Sequence, residues 1–248
     1  MQLLHHLLFP ILLLTGASAA SARRACSKAI FVLSGDSTTA PGGGWGDSFN
    51  ATTLLPPSFG ENHAVGGRST QSVLANGEWA AVLDAVEDYK AQGNVYVTIQ
   101  FGHNDQKIAN FTAQFEVNLR RMVNDVKAAG GVPVLVTPLA RRTWSGGVLT
   151  DLLGDWAAIA LSVAAETGTH KIELLKESMR YLAAIGEANA RTFDLAAGDK
   201  THLNAVGAVV FSRLVSDLLG AELGEPVRCV TNRNETLSAA IRDGVMAT

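Results

Sequence analysis

Apolar residues along this chain fall into two alternating patterns. Short unbroken runs rich in β-branched and aromatic residues occur at Ala29 to Ser34 (AIFVLS), Val95 to Phe101 (VYVTIQF) and Val132 to Thr137 (VPVLVT). Each stops at a turn or loop signal: Gly-Asp-Ser, Gly-His-Asn-Asp and Thr-Pro respectively. Bounded runs of this kind predict parallel strands buried on both faces. Glu61 to Val65 supplies a second strand, and His170 to Leu175 a fifth strand or its edge. Between them the spacing changes to three and four. Trp79, Val82, Leu83 and Val86 form one helical stripe. Phe111, Phe115, Leu119, Met122, Val123 and Val126 form another, stopped by Gly130-Gly131. Leu152 to Ala165 predicts a further helix. Leu203, Val206, Val210, Leu214 and Leu218 predict the last, closed by Gly220. Alternation of strand and helix implies an α/β domain with a parallel sheet of about five strands and right-handed crossovers. No repeat, low-complexity tract or linker divides it.

The start of the chain belongs to neither pattern. Leu7 to Leu14 is apolar except for Pro10, and the small residues Gly16 to Ala20 follow. Residues 1–20 read as a secretory signal, too short to span a bilayer stably, although its n-region has no Lys or Arg. The remainder, 21–248, fits one domain with a sizeable core. Secretion places the mature protein outside the cell, with no membrane association once the signal is removed. A net charge of −3 with no basic stripe gives no reason to expect nucleic-acid binding, and a monomer is expected. The two cysteines, Cys26 and Cys229, flank the domain. An even count in a secreted chain favours a disulfide. Cys26 precedes the first strand and Cys229 follows a helix antiparallel to the strands, so both belong at the same edge of the sheet. Sequons at Asn50, Asn110 and Asn234 are candidate glycosylation sites if the source is eukaryotic.

In open parallel sheets ligands bind beyond the carboxyl ends of the strands. Ser37, Gly67 and Asn104 follow the first three predicted strands and therefore converge on that edge. A serine hydroxyl needs an adjacent base to act as nucleophile. His202 is the candidate, with Asp199 three residues earlier placed to hold its Nδ1. The N–H groups of Ser37 and Gly67 and the side-chain amide of Asn104 can serve as an oxyanion hole. Asp36 and Asp105 read as turn and loop formers. His63 and His103 read as loop residues near the site. No His, Cys or carboxylate cluster has metal-ligand spacing, so neither metal nor cofactor is expected. Thr39 breaks the Gly-x-Ser-x-Gly pattern of α/β-hydrolases. Gly42-Gly43-Gly44 lacks the Lys and Ser/Thr of a phosphate loop and reads as a flexible loop over the cleft.

The Gly-Asp-Ser, Gly-x-Asn-Asp and Asp-x-x-His blocks, in that order, resemble the SGNH (GDSL-like) hydrolase family. Further stretches resemble its rhamnogalacturonan acetylesterase branch: Trp45-Gly46-Asp47, Asn62 to Ser69, Phe101 to Asp105, and Thr137-Pro138 with Arg141-Arg142. Thr38 stands where many family members have Leu and matches the residue common in that branch. The resemblance spans roughly Ile30 to Leu219. It implies a flavodoxin-like three-layer sandwich, metal-free ester hydrolysis and removal of acetyl groups from pectic polysaccharide. Acetylxylan, another acetylated glycan and a short-chain lipid ester are alternative substrates. A carbohydrate-binding protein on a disabled esterase scaffold is the alternative of another class. Pectic galacturonate carries carboxylates, which Arg68, Arg141 and Arg142 could bind. Surface ion pairing is the other reading of these arginines. Trp45 and Trp144 lie near loops where they could stack on sugar or simply pack, whereas Trp79 belongs to the core.

Overall fold

The first apolar run forms β1 (Ala29–Gly35), with every residue buried. In this computed structural model, which describes residues 26–247, β1 pairs on one side with β2 (Phe59–Asn62) and on the other with β3 (Asn94–Gln100). The signal-peptide reading of residues 1–20 lies outside the described residues. Between β1 and β2 runs α1 (Gly46–Thr52); α2 (Thr70–Ala75) and α3 (Glu78–Tyr89) lead to β3. Then follow α4 (Thr112–Ala129), β4 (Val132–Val136), a hairpin of β5 (Trp144–Ser145) and β6 (Val148–Leu149), α5 (Gly154–Thr167) and β7 (His170–Ile172). The chain continues through α6 (Leu174–Ala190), α7 (Ala205–Leu223), α8 (Glu225–Arg228) and α9 (Glu235–Asp243).

The main sheet is parallel, in the order β2-β1-β3-β4-β7. Right-handed crossovers put α1 on one face and α3, α4 and α5 on the other, because the step from β1 to β2 runs opposite to the later steps. α7 packs beside α1 and closes the first face. The centre is dry: Ile30, Val32, Leu33, Val97, Ile99 and Val134 are at most 1% exposed. Each such side chain contributes about 1.5–3 kcal/mol through burial. Trp79 belongs to this core, with its indole N–H donating to Asp125 at 2.9 Å.

Several boundaries differ from the sequence expectation. The second strand was expected at 61–65 and runs from Phe59 to Asn62. It is a half-buried edge strand, so its apolar pattern is weak. Backbone pairing nevertheless continues past it, from His63 N–H to Leu33 and from Val65 N–H to Gly35. The fifth strand ends at Ile172, and Leu174 already begins α6. Gly220 does not close α7; it lies within the helix, where the Arg228 side chain crosses it at 3.1 Å from a would-be Cβ. Val206 faces solvent at 44% exposure, and Phe211, Val215 and Leu219 take the core positions instead.

Cys26 and Cys229 form a disulfide, with Cα atoms 5.9 Å apart. Of the sequons, Asn110 and Asn234 are exposed, the latter capping α9 through its side chain. Asn50 turns its Oδ1 inward against the backbone of Gly60, where a Cβ would approach it to 2.0 Å.

Candidate active site

Sheet order reverses between β1 and β3, so their carboxyl ends open the crevice in which ligands of such sheets bind. Ser37 lies in the turn after β1. Its local fold is dictated from below. Thr39 and Ala40 N–H groups both donate to the Asp36 carbonyl, at 3.1 and 2.9 Å. Gly35 is obligatory there, because a Cβ would meet Thr39 Oγ1 at 2.6 Å and the Gln100 carbonyl at 2.9 Å. Asp36 is fully buried and accepts from Thr38 N–H and Oγ1 at 2.9 and 2.8 Å. Gln100 donates to Thr38 Oγ1 at 2.7 Å and accepts from the Trp45 indole at 2.6 Å. Trp45 is therefore a support beneath Ser37, with 0% exposure, and cannot stack on a sugar.

His103 is also buried, its Nδ1 3.4 Å from Asp36 Oδ2. It is a core partner of Asp36 rather than an open loop residue. Burial pushes the Asp36 carboxyl up, but the neighbouring His103 imidazole and the hydrogen bonds from Thr38 overcome this and hold it below the usual carboxylate range.

His202 arrives on a closed loop. Asp194 and Leu203 form a bridge, Leu195 N–H donates to the His202 carbonyl at 3.0 Å, and Asn204 N–H donates to the Phe193 carbonyl at 3.0 Å. Within that loop the Asp199 carboxylate accepts from Thr201 N–H at 3.0 Å and His202 N–H at 2.9 Å through Oδ1. Its Oδ2 lies 2.8 Å from His202 Nδ1, and His202 Nε2 lies 2.9 Å from Ser37 Oγ. Burial raises the Asp199 carboxyl, but the backbone N–H groups of His202 and Thr201, then the imidazole, bring it below its ordinary value. Gly43 and Gly44 are buried rather than flexible. A Cβ on Gly43 would stand 3.2 Å from His202 Cβ, and one on Gly44 would strike the Thr38–Thr39 backbone at 2.4–2.5 Å. Gly43 also accepts from Leu203 N–H at 2.8 Å.

Arg142 holds the same loop from within. Its side chain is 0% exposed and pairs with Asp194 at 2.6 Å. The guanidinium donates to the carbonyls of His202 and Asp199 at 2.6 and 3.2 Å, and the Arg142 N–H donates to the Lys200 carbonyl at 2.7 Å. This overturns its assignment as a substrate-binding residue: every contact is internal. Arg68 pairs with Glu78 at 2.6 Å, the ion-pairing alternative. Arg141 is half-buried and donates to Thr201 Oγ1 and, at 3.4 Å, to the His103 carbonyl. Trp144 is half-buried on the β5–β6 hairpin, with no partner for its indole N–H.

The remaining donors come from two further loops. Gly66-Gly67 forms a tight turn, closed by Arg68 N–H to the Val65 carbonyl at 3.3 Å. Gly67 has φ +80°, a conformation costly for any residue with a Cβ. A Cβ on Gly66 would be 3.8 Å from that of Ser37, so this turn flanks the serine. Asn104 Nδ2 donates to the Arg68 carbonyl at 3.0 Å, and its Oδ1 accepts from Lys107 Nζ at 2.8 Å. Asp105 cross-ties the two loops by accepting from Thr70 N–H and Oγ1 at 2.8 and 2.6 Å. Burial raises the Asp105 carboxyl despite these bonds. Among the described residues no partner is found for the N–H of Ser37 or Gly67. The Gly66-Gly67 turn thus flanks a serine already paired with an imidazole, and Asn104 is tied to that turn through the Arg68 carbonyl, an arrangement suited to acyl transfer.

The GDSL-like lipase/acylhydrolase family matches this chain over residues 33–210, from within β1 to within α7. The chain belongs to that family. This acylhydrolase is a carboxylic ester hydrolase with the parallel-sheet fold of its relatives. It is 30% identical over 218 residues to the rhamnogalacturonan acetylesterase RhgT of Bacillus subtilis, covering 79% of this chain and 91% of RhgT. The probable rhamnogalacturonan acetylesterase YesY of the same organism is 29% identical over 202 residues, covering 78% and 89%. The crystal structure of B. subtilis YxiM superposes with a TM-score of 0.69 at 27% identity. That match covers 78% of this acylhydrolase and 56% of the YxiM chain. Axe2, an acetylxylan esterase from Geobacillus stearothermophilus, shares the fold at 17% identity and a TM-score of 0.55, covering 79% and 94%.

Sequence reasoning missed the Thr38–Gln100–Trp45 support, the Arg142–Asp194 clamp and the Lys107 contact to Asn104. Thr38, Trp45 and Arg142 lay within stretches singled out in the sequence, but their inward partners Gln100 and Asp194 carried no signal of that role. Among the described residues no group of three or more His, Cys, Asp or Glu is placed to hold a metal. Two clefts elsewhere, one between α6, α7 and α9 and one beside the disulfide, contain none of the residues assigned to the site.

Proposed function

We propose that this acylhydrolase is a secreted carbohydrate esterase that removes acetyl groups from pectic polysaccharide of the rhamnogalacturonan type. The chemistry rests on the line of contacts from Asp199 through His202 to Ser37. The substrate rests on similarity to RhgT and YesY. Ser37 Oγ attacks the acetyl carbonyl while His202 Nε2 takes its proton. Asp199, at Nδ1, holds the imidazole tautomer and stabilises the imidazolium. The oxyanion is received by the N–H groups of Ser37 and Gly67 and by Asn104 Nδ2. Collapse expels the sugar alkoxide, which His202 protonates, and leaves an acetyl group on Ser37. His202 then deprotonates a water, whose attack releases acetate and restores the serine. Activity declines on the acid side, because the base must be neutral imidazole.

Secretion is supported by the apolar N-terminal run and by the Cys26–Cys229 bond, a linkage that persists in oxidising compartments. Asn110 and Asn234 are the open positions for a glycan, and the protein acts as a monomer. Acetate release from acetylated rhamnogalacturonan and acetylated xylan, measured side by side, tests the substrate. Preference for xylan would move the reading to the other polymer, which likeness to Axe2 favours at the level of fold alone. Wild-type rates in Ser37→Ala would overturn the mechanism. Resistance of the wild-type protein to a serine-directed phosphonate would point instead to a disabled scaffold.

A further inference from the structure

Arg141 stands apart from the other two arginines considered for substrate binding. Arg68 and Arg142 each have a carboxylate at 2.6 Å. Arg141 has none among the described residues; its partners are the hydroxyl of Thr201, the carbonyl of His103 and the side-chain amide oxygen of Gln106, the last at 2.9 Å. Thr201 and His103 immediately precede His202 and Asn104. The guanidinium therefore bridges the loop bearing the base and the loop bearing an oxyanion donor. Three of its five N–H donors are occupied by neutral groups.

Burial pushes the Arg141 guanidinium below its usual range, and the attraction of Asp36 and Asp199, neither within ion-pair distance, does not make up the loss. Both of these carboxylates already face an imidazole, Asp36 that of His103 and Asp199 that of His202. Lys107, exposed on the turn after β3, adds a second cation beside Asn104, again without a carboxylate partner. The chain as a whole carries −3, so this pair of free cations at the ester site is not a by-product of basic composition. Planar guanidinium donors match a carboxylate, and partial burial strengthens the pairing.

We infer that Arg141, with Lys107 beside it, forms a carboxylate subsite adjoining the ester site, so that the enzyme selects acetyl groups lying next to a uronate. This rests on the pectic reading for the natural substrate, but the subsite can be probed without it. The probe is digalacturonate as a competitive inhibitor of p-nitrophenyl acetate hydrolysis, compared with the same disaccharide after its carboxyls are reduced to alcohols. The wild-type enzyme binds the charged form at least about 10-fold more tightly, the range of a charge-assisted hydrogen bond. Added salt narrows the gap. In Arg141→Gln the ratio falls to about 1, and Arg141→Lys retains part of it. The ratio is insensitive to any general loss of rate. Equal binding of the two forms by the wild type overturns the subsite. So does a ratio that survives in Arg141→Gln, which would leave Arg141 as a strut between loops. A normal ratio with no acetate released from acetylated rhamnogalacturonan would instead keep the subsite and overturn the pectic reading.

Discussion

Replacing Arg142 with methionine would remove a buried charge while retaining most of the side chain's volume. Asp194, 7% exposed, would lose its 2.6 Å partner and keep only Arg191 at 3.7 Å. The carbonyls of Asp199 and His202 would lose their donor as well. Breaking a buried pair costs about 3–5 kcal/mol. The remaining Arg191 contact argues for the lower end, about 3 kcal/mol. For a domain of this size that lowers Tm by about 6–12 °C. The catalytic consequence is separate. The guanidinium fixes the loop at two carbonyls, one of them that of His202, the proposed base, and misplacement of a reacting group by about 1 Å can cost 10²-fold in rate. We expect kcat for p-nitrophenyl acetate to fall by about that factor well below the new Tm, with KM little changed. The double variant Arg142→Met/Asp194→Leu removes the orphaned carboxylate. It should recover much of the Tm and none of the kcat, because the carbonyl clamps stay absent. A control such as Val126→Ala, in α4 and remote from the site, lowers Tm by cavity formation and should leave kcat intact. Wild-type kcat in folded Arg142→Met would refute the clamp.

Other outcomes follow from the same geometry. Asn104→Ala should lower kcat by about 10²–10³-fold in steady-state assays, with binding of product-like sugars unaffected. Cys26→Ser should cost about 5 kcal/mol in denaturant unfolding, from the 203-residue separation the bond closes; an unchanged midpoint would mean that the chain ends are held by packing alone. Asp36 and Asp199 ionise more readily when folded than the unfolded value of about 3.9. Their stabilisation is therefore complete above that pH and is lost as pH falls through the lower folded values. Asp105, raised by burial, works in the opposite direction and damps the loss. Thermal melts should drop on acidification below about pH 4, and the drop should shrink in Asp36→Asn; a flat profile to pH 2.5 would contradict this. Gly44→Ala should disturb the Ser37 turn, since its Cβ has only the Thr38–Thr39 backbone to meet. Slower phosphonate labelling would register the displacement.

The parts of the structure that could be read from the chain are those whose cause is local. β1, β3 and β4 are unbroken apolar runs because they are covered on both faces, and α4 announces itself by spacing and a terminal glycine pair. Ser37, Gly67 and Asn104 follow strand ends, and the Asp-x-x-His block sits on one short loop, so topology alone brings them near one edge. Failures occurred where the cause is tertiary. Ile172, Leu174 and Leu175 form one apolar run, yet a single residue inside it switches strand to helix. Trp45 and Arg142 sit in loops beside the site, which reads as availability to ligand. Their side chains turn inward because Gln100 and Asp194, distant in sequence, offer buried partners. Gly43 and Gly44 looked like freedom, whereas they are small because His202 and the Thr38–Thr39 backbone leave no room.

Ser37 and His202 are separated by 165 positions. At about 5–20 residues per second, roughly 8 to 33 s pass during synthesis between the making of the proposed nucleophile and the making of its proposed base. Even then the base is held in place only once Arg142, Asp194 and Gly43 have met around its loop. A half-made or misfolded chain can present the serine turn and still lack a group to activate it. Hydrolytic competence therefore arrives with the last stage of assembly, and turnover itself becomes a readout of a correctly finished molecule.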